Sequence, residues 1–138
     1  MVYPKCFQEG LSVKKRIAII TISLVIVSSL LVLSTSVKVA SVMLLDYSVS
    51  KDGTVMTLKV GVASSMGYIR TLKEKQEENK KYITFYSTYG LNSSLGAKNT
   101  FHIDLDPSCS KIYFYRGNDG DVLMLYKDKE TNDWKLAK

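Results

Sequence analysis

Two hydrophobic patterns divide the chain. From Ile17 to Val37 the run is unbroken, dominated by isoleucine, valine and leucine, and up to Leu33 its only polar side chains are Thr21, Ser23, Ser28 and Ser29. It contains no turn residue and is too long for one strand. As a helix it would extend roughly 30 Å, the thickness of a bilayer core. In lipid every backbone amide needs an internal partner, and the hydroxyls can bond back to helix carbonyls. One transmembrane helix over 17–37 is expected.

Beyond a short connection over 38–42 the pattern changes to period two. Met56, Leu58, Val60 and Val62 alternate with Thr57, Lys59 and Gly61. Ile83 and Phe85 alternate with Tyr82, Thr84 and Tyr86, Phe101, Ile103 and Leu105 with His102 and Asp104, and Ile112 and Phe114 with Tyr113 and Tyr115. This alternation marks strands that bury one face. Lys51-Asp52-Gly53, Asp106-Pro107, Gly117–Asp121 and Asp128–Asn132 supply turn chemistry between them. A strand from about Met43 to Ser50, a hairpin with a polar tip across Gln76–Lys81, and a last strand at Trp134 and Leu136 bring the total to seven or eight. The ten-residue stretch Gly90–Asn99 reads as a loop pinned inward by Leu91 and Leu95. The expected fold is all-β: an immunoglobulin-like antiparallel β-sandwich over 43–138, with an open barrel as the second alternative, preceded by the N-terminal transmembrane helix.

Charge adds orientation. Of the net charge of +6, the head Met1–Ala40 carries five Lys/Arg against one acidic residue, and the rest carries 14 against 12. Lys14, Lys15 and Arg16 abut the apolar run, whereas its other end has Lys38 and no further cation before Lys51. Cationic flanks stay inside. Residues 1–16 therefore read as a cytoplasmic basic head, and the β-domain as extracytoplasmic on a single-pass protein of the cytoplasmic membrane. Lipid, contacted through the helix, is the first expected partner. The apolar core exceeds the 7–15 residues of a cleavable signal peptide, which favours a signal anchor. A cut near Ser36, releasing a secreted domain, is the alternative. With its charge nearly balanced, the tail shows no basic stripe, and no nucleic-acid partner is expected.

Several segments carry a resemblance: Tyr47-Ser48-Val49-Ser50, Ser64-Ser65-Met66-Gly67-Tyr68, Thr84-Phe85-Tyr86-Ser87, Leu91-Asn92-Ser93-Ser94-Leu95-Gly96-Ala97-Lys98-Asn99 and Ile112-Tyr113-Phe114. Together they resemble a family of small membrane-anchored or exported β-domain proteins of Gram-positive bacteria. The likeness covers roughly Tyr47–Trp134. It implies bacterial origin and export, and it supplies no activity and no site residues.

The residues offer little catalytic chemistry. His102 is the sole histidine, so hydrolytic triads lack a base beyond it, and with Cys109 it falls short of a zinc ligand set. Cys6 and Cys109 would lie on opposite sides of the membrane and cannot pair. Asp104 and Asp106 share a strand face, a spacing permissive for carboxylate-based hydrolysis of cell-wall glycan, and Gly117–Asp121 loosely resembles a calcium loop. Hairpin turns and strand ends favour those same residues. No enzyme activity and no cofactor is expected. The feature above background is the outward tyrosine set Tyr82, Tyr86, Tyr113 and Tyr115, since tyrosine gives rigid amphipathic contact area. The expected function is an anchored binding or interaction domain, its partner an envelope protein or glycan.

Overall fold

The protein is described by a computed structural model over residues 13–34, 36–63, 67–88 and 94–137. It divides into two units, Met1–Thr35 and Ser36–Lys138.

The first unit contains helix α1, Val13–Ser34, of 22 residues. The expected bounds of 17–37 are corrected at both ends. Lys14, Lys15 and Arg16 are straight-chain residues that a helix accepts readily, so α1 takes them in. At the other end the chain turns to strand by Ser36, because Val37 and Val39 find backbone partners there. The hydroxyls of Thr21, Ser28 and Ser29 donate to the carbonyls of Ile17, Val25 and Val25 at 2.9, 2.9 and 2.7 Å. Among the described residues no helix is long and apolar enough to cross a membrane; the described side chains of α1 end at Leu30 and include its three cations.

The second unit is β, with nine strands among the described residues: β1 Ser36–Val39, β2 Val42–Val49, β3 Val55–Val62, β4 Thr71–Glu77, β5 Lys80–Thr88, β6 Thr100–Asp104, β7 Lys111–Tyr115, β8 Asp121–Lys127 and β9 Trp134–Leu136. The expected connection over 38–42 is corrected: it holds the end of β1 and the start of β2. Two turns show why their residues are there. Gly53 (φ 73°) closes β2 to β3, and Gly117 (φ 67°) starts the single 3-10 turn between β7 and β8, where an added Cβ would meet that of Ala40 at 3.1 Å. Both backbones lie in the region that favours glycine.

The strands form two sheets, one in the order β2-β3-β6, the other β1-β5-β7-β8-β9 with β4 on β5. Strand β5 organises the larger sheet. β4 pairs along one edge, and β1 and β7 share the other, β1 beside Phe85–Thr88 and β7 beside Lys80–Ile83. The β5–β7 pair is parallel, which corrects the expected all-antiparallel arrangement. A parallel pair needs a crossover, and β6, lying in the other sheet, is that crossover.

Both sheets turn their apolar faces to one core. Met56, Leu58 and Ile103 come from the smaller sheet, and Ile83, Phe85, Ile112, Phe114 and Leu125 from the larger. Phe85 meets Phe114 within its own sheet, ring centroids 5.0 Å apart, and Phe101 of the smaller sheet at 5.6 Å, both edge-on. The Tyr47 hydroxyl on β2 donates to the Trp134 carbonyl on β9 at 2.6 Å, so this tyrosine ties the sheets together. The inward anchor expected at Leu95 is corrected. Its side chain is 82% exposed, and its carbonyl accepts a bond from the Arg70 guanidinium. Leu91 lies outside the described residues.

Candidate functional site: a lysine-rimmed tyrosine face

The outer face of the larger sheet follows from parity. Ile83 and Phe85 on β5 and Ile112 and Phe114 on β7 are buried to 0% exposure. The alternate positions, Tyr82, Thr84 and Tyr86 with Tyr113 and Tyr115, must then point the other way. Register places Tyr82 opposite Tyr113, and Thr84 and Tyr115 follow two residues on along the same two strands. All four tyrosines singled out from sequence therefore share one face, each partly exposed.

Their rings are ordered by two kinds of contact. Tyr82 and Tyr113 stack, centroids 5.1 Å apart and planes 21° from parallel. Lys38 Nζ lies 4.8 Å from the centroid of Tyr115, and Lys73 Nζ lies 5.2 Å from that of Tyr86. An ammonium over a ring face is drawn by the ring quadrupole, by about 0.5–1 kcal/mol at exposed sites. A groove of about 570 Å³ opens here, lined by Tyr82, Thr84, Tyr86 and Tyr115 and by equal numbers of lysines (Lys38, Lys73, Lys75) and carboxylates (Glu74, Glu77, Asp121).

Strand pairing gathers five lysines on this face, which sequence reading missed. Lys38 on β1 is paired with Tyr86, Lys73 and Lys75 on β4 with Thr84 and Tyr82, and Lys80 on β5 with Lys111 on β7. All have the outward parity. The acidic residues of that parity nearby are Glu77, opposite Lys80, and Asp121, opposite Tyr115. Glu77 pairs with Lys75, whose ammonium it holds in the charged form by hydrogen bond and charge. Neither Lys38 nor Lys73 is in a salt bridge among the described residues. These lysines are scattered in sequence, and only the pairing of β1, β4, β5 and β7 gathers them.

The inward side of the same strands does different work. Lys81, 8% exposed at its side chain, donates to Glu74 at 2.7 Å, a largely buried ion pair at one end of the core. Nearby Cys109 is 2% exposed, and burial pushes its thiol pKa up, so the thiolate nucleophile is disfavoured.

Of the remaining sequence candidates, Asp121 lies opposite Tyr115 and lines the groove, and the others stay apart from the tyrosine face. His102 is exposed on β6, where its Nδ1 shares a hydrogen bond with the Thr57 hydroxyl across the strand pair at 3.0 Å. Asp104 is exposed on the same strand, whereas Asp106 accepts bonds from the Ser108 amide and hydroxyl and closes the turn into β7. Those bonds hold the Asp106 carboxyl below its usual pKa. That environment stabilises a turn carboxylate and works against a proton-donating acid. Gly117–Asp119 forms the 3-10 turn, with the Gly120 amide bonded to the Gly117 carbonyl at 3.1 Å. No group of three His, Cys, Asp or Glu side chains among the described residues is placed to hold a metal ion.

No family model matches the chain, and neither a curated protein nor a solved structure shows detectable similarity to it.

Proposed function

We propose that the chain is a single-pass, membrane-anchored binding module of the bacterial envelope, with an immunoglobulin-like β-sandwich outside and the tyrosine face as its contact surface. One observation carries the binding reading. Four partly exposed tyrosines from two strands are held in fixed orientation by stacking and by lysines, on a face that the core does not need. Rigid aromatic side chains give contact area at little entropic cost, which suits recognition. The anchor reading is supported by α1. Ile17, Ile20, Leu24 and Leu30 are each more than half exposed, and the described helix after Arg16 is apolar on every side. The hydroxyls of Thr21, Ser28 and Ser29 already have carbonyl partners. Such a surface favours lipid over water. The basic first turn supports an N-terminus on the cytoplasmic side. Family membership rests on the resembling segments. A secreted form cut near Ser36 would keep Val37–Val39 for β1 and present the same face.

Crosslinking on intact cells tests the contact surface. The wild-type chain is expected to capture an envelope partner, and Tyr86→Ala with Tyr113→Ala to lose it while the domain keeps its circular dichroism. An unchanged set of captured contacts would remove the tyrosine face from the account.

A further inference from the structure

We infer that one end of the β-domain, formed by residues 67–70 and 94–99, is a second lipid contact that sits in the interface of an anionic bilayer surface; the inference rests on the anchored reading above. Strand pairing brings three parts of the chain to the C-terminal end of β5. β1 begins there, with Ser36 opposite Thr88. The connection from β3 to β4 arrives there, where the Arg70 amide donates to the Tyr86 carbonyl at 2.9 Å. The connection from β5 to β6 departs after Thr88. The two connections are tied together. The Lys98 amide donates to the Ile69 carbonyl at 2.8 Å, and the Arg70 guanidinium donates to the Leu95 carbonyl.

The tether selects the surface that this end meets. α1 ends at Ser34 and β1 begins at Ser36. Along the chain that is two Cα steps of about 3.8 Å each. With α1 in the bilayer, lipid is therefore presented to this end at high effective concentration, and a weak attraction suffices to seat it. A soluble partner has no such advantage.

The residues of this end suit an interface. Leu95 is the most exposed large hydrophobic side chain among the described residues, and Tyr68 is exposed on the neighbouring connection. A leucine held out by a loop gains by entering the acyl boundary, and tyrosine places its ring and hydroxyl at headgroup level. Residues 63–70 and 89–99 carry Arg70 and Lys98 and no acidic residue. The other end of the domain is the reverse: residues 50–54, 78–79, 105–110 and 128–133 carry six acidic residues against two lysines. Those segments belong together, since residues from three of them border one groove and the Ser110 amide donates to the Asn79 carbonyl at 2.8 Å. An anionic surface attracts the first end and repels the second. The turn 116–120, which carries Asp119, stands back from the contact, because β7 ends one residue past Phe114, which pairs with Ile83, well short of Thr88.

The test uses the full chain in nanodiscs and reads depth from quenching of the fluorophore NBD by a nitroxide carried on lipid near the headgroup. In a Cys6→Ser background the fluorophore is attached through Ala97→Cys, close to Leu95, through Lys129→Cys, at the opposite end, and through Leu24→Cys, within α1. Cys109 is buried and stays unlabelled. Position 97 is expected to be quenched at least threefold more than position 129, and more in discs containing phosphatidylglycerol than in phosphatidylcholine alone. Leu95→Asp, at an exposed site, is expected to bring position 97 down to the level of position 129 with circular dichroism unchanged. Strong quenching at position 24 with equal, weak quenching at positions 97 and 129 would overturn the inference and leave the anchored reading standing. Quenching at position 97 that responds neither to phosphatidylglycerol nor to Leu95→Asp would overturn it as well. An unquenched position 24 would overturn the anchored reading, and this inference with it.

Discussion

Asp128 shows how closely a single side chain here is held by its turn. Its carboxylate accepts from the Lys135 ammonium and from the amides of Glu130 at 2.8 Å and Thr131 at 3.4 Å. The Lys135 bond and then these amides hold its pKa at about 2, below the ordinary 3.8. A carboxyl with a depressed folded pKa stabilises the fold above its unfolded value and loses that contribution as pH falls toward the folded one. The loss attached to Asp128 therefore falls between pH 3.8 and about 2. A carbon-13 NMR titration of the Asp128 carboxyl is expected to give a midpoint near 2 and, in Lys135→Ala, a midpoint raised toward the ordinary value. An unmoved midpoint would show that the lysine is not the main cause. The tyrosines were legible at this scale because strand parity depends only on neighbours. Their lysine partners were not: Lys38 and Tyr115, like Lys73 and Tyr86, are brought together by pairing between distant strands.

Among the elements, the strands that alternate cleanly were legible from sequence. Met56, Leu58, Ile83, Phe85, Ile103, Ile112 and Phe114 all reach the core that their period predicts. The misread elements lie where two patterns meet or none exists. Val37 and Val39 adjoin the long apolar run, and their β-branched side chains suit helix in lipid and strand in a sheet equally well; pairing with β5 decides for strand. The parallel β5–β7 pair depends on the route of the chain through the other sheet, which no local period encodes. Leu95 sits in a loop without a period, and its hydrophobicity alone wrongly suggested an anchor. The contrast is measurable in urea melts. Phe114→Ala, which removes a ring packed edge-on against Phe85, is expected to cost about 3–5 kcal/mol. Leu95→Ala is expected to stay within about 0.5 kcal/mol. Similar losses for both would mean that the loop is anchored after all.

At the scale of the whole molecule, sequence and structure divide the work between two units. The first presents an apolar helix with a basic start, and the second a β-domain that gathers five of its lysines and four of its tyrosines on one outer face. Net charge could not show that grouping, because it counts Lys38 with the head and sets 14 cations against 12 acids in the tail without regard to face. The account depends most on where the β-domain resides. The direct measurement is labelling of a Cys6→Ser, Asp119→Cys variant on intact bacteria with a membrane-impermeant maleimide, followed by fractionation. The buried Cys109 stays silent, and the exposed turn between β7 and β8 reports. We expect position 119 to label without lysis and the full-length chain to sediment with the membrane. Labelling only after lysis, or a labelled chain in the soluble fraction, would contradict an anchored domain displayed outside the cell.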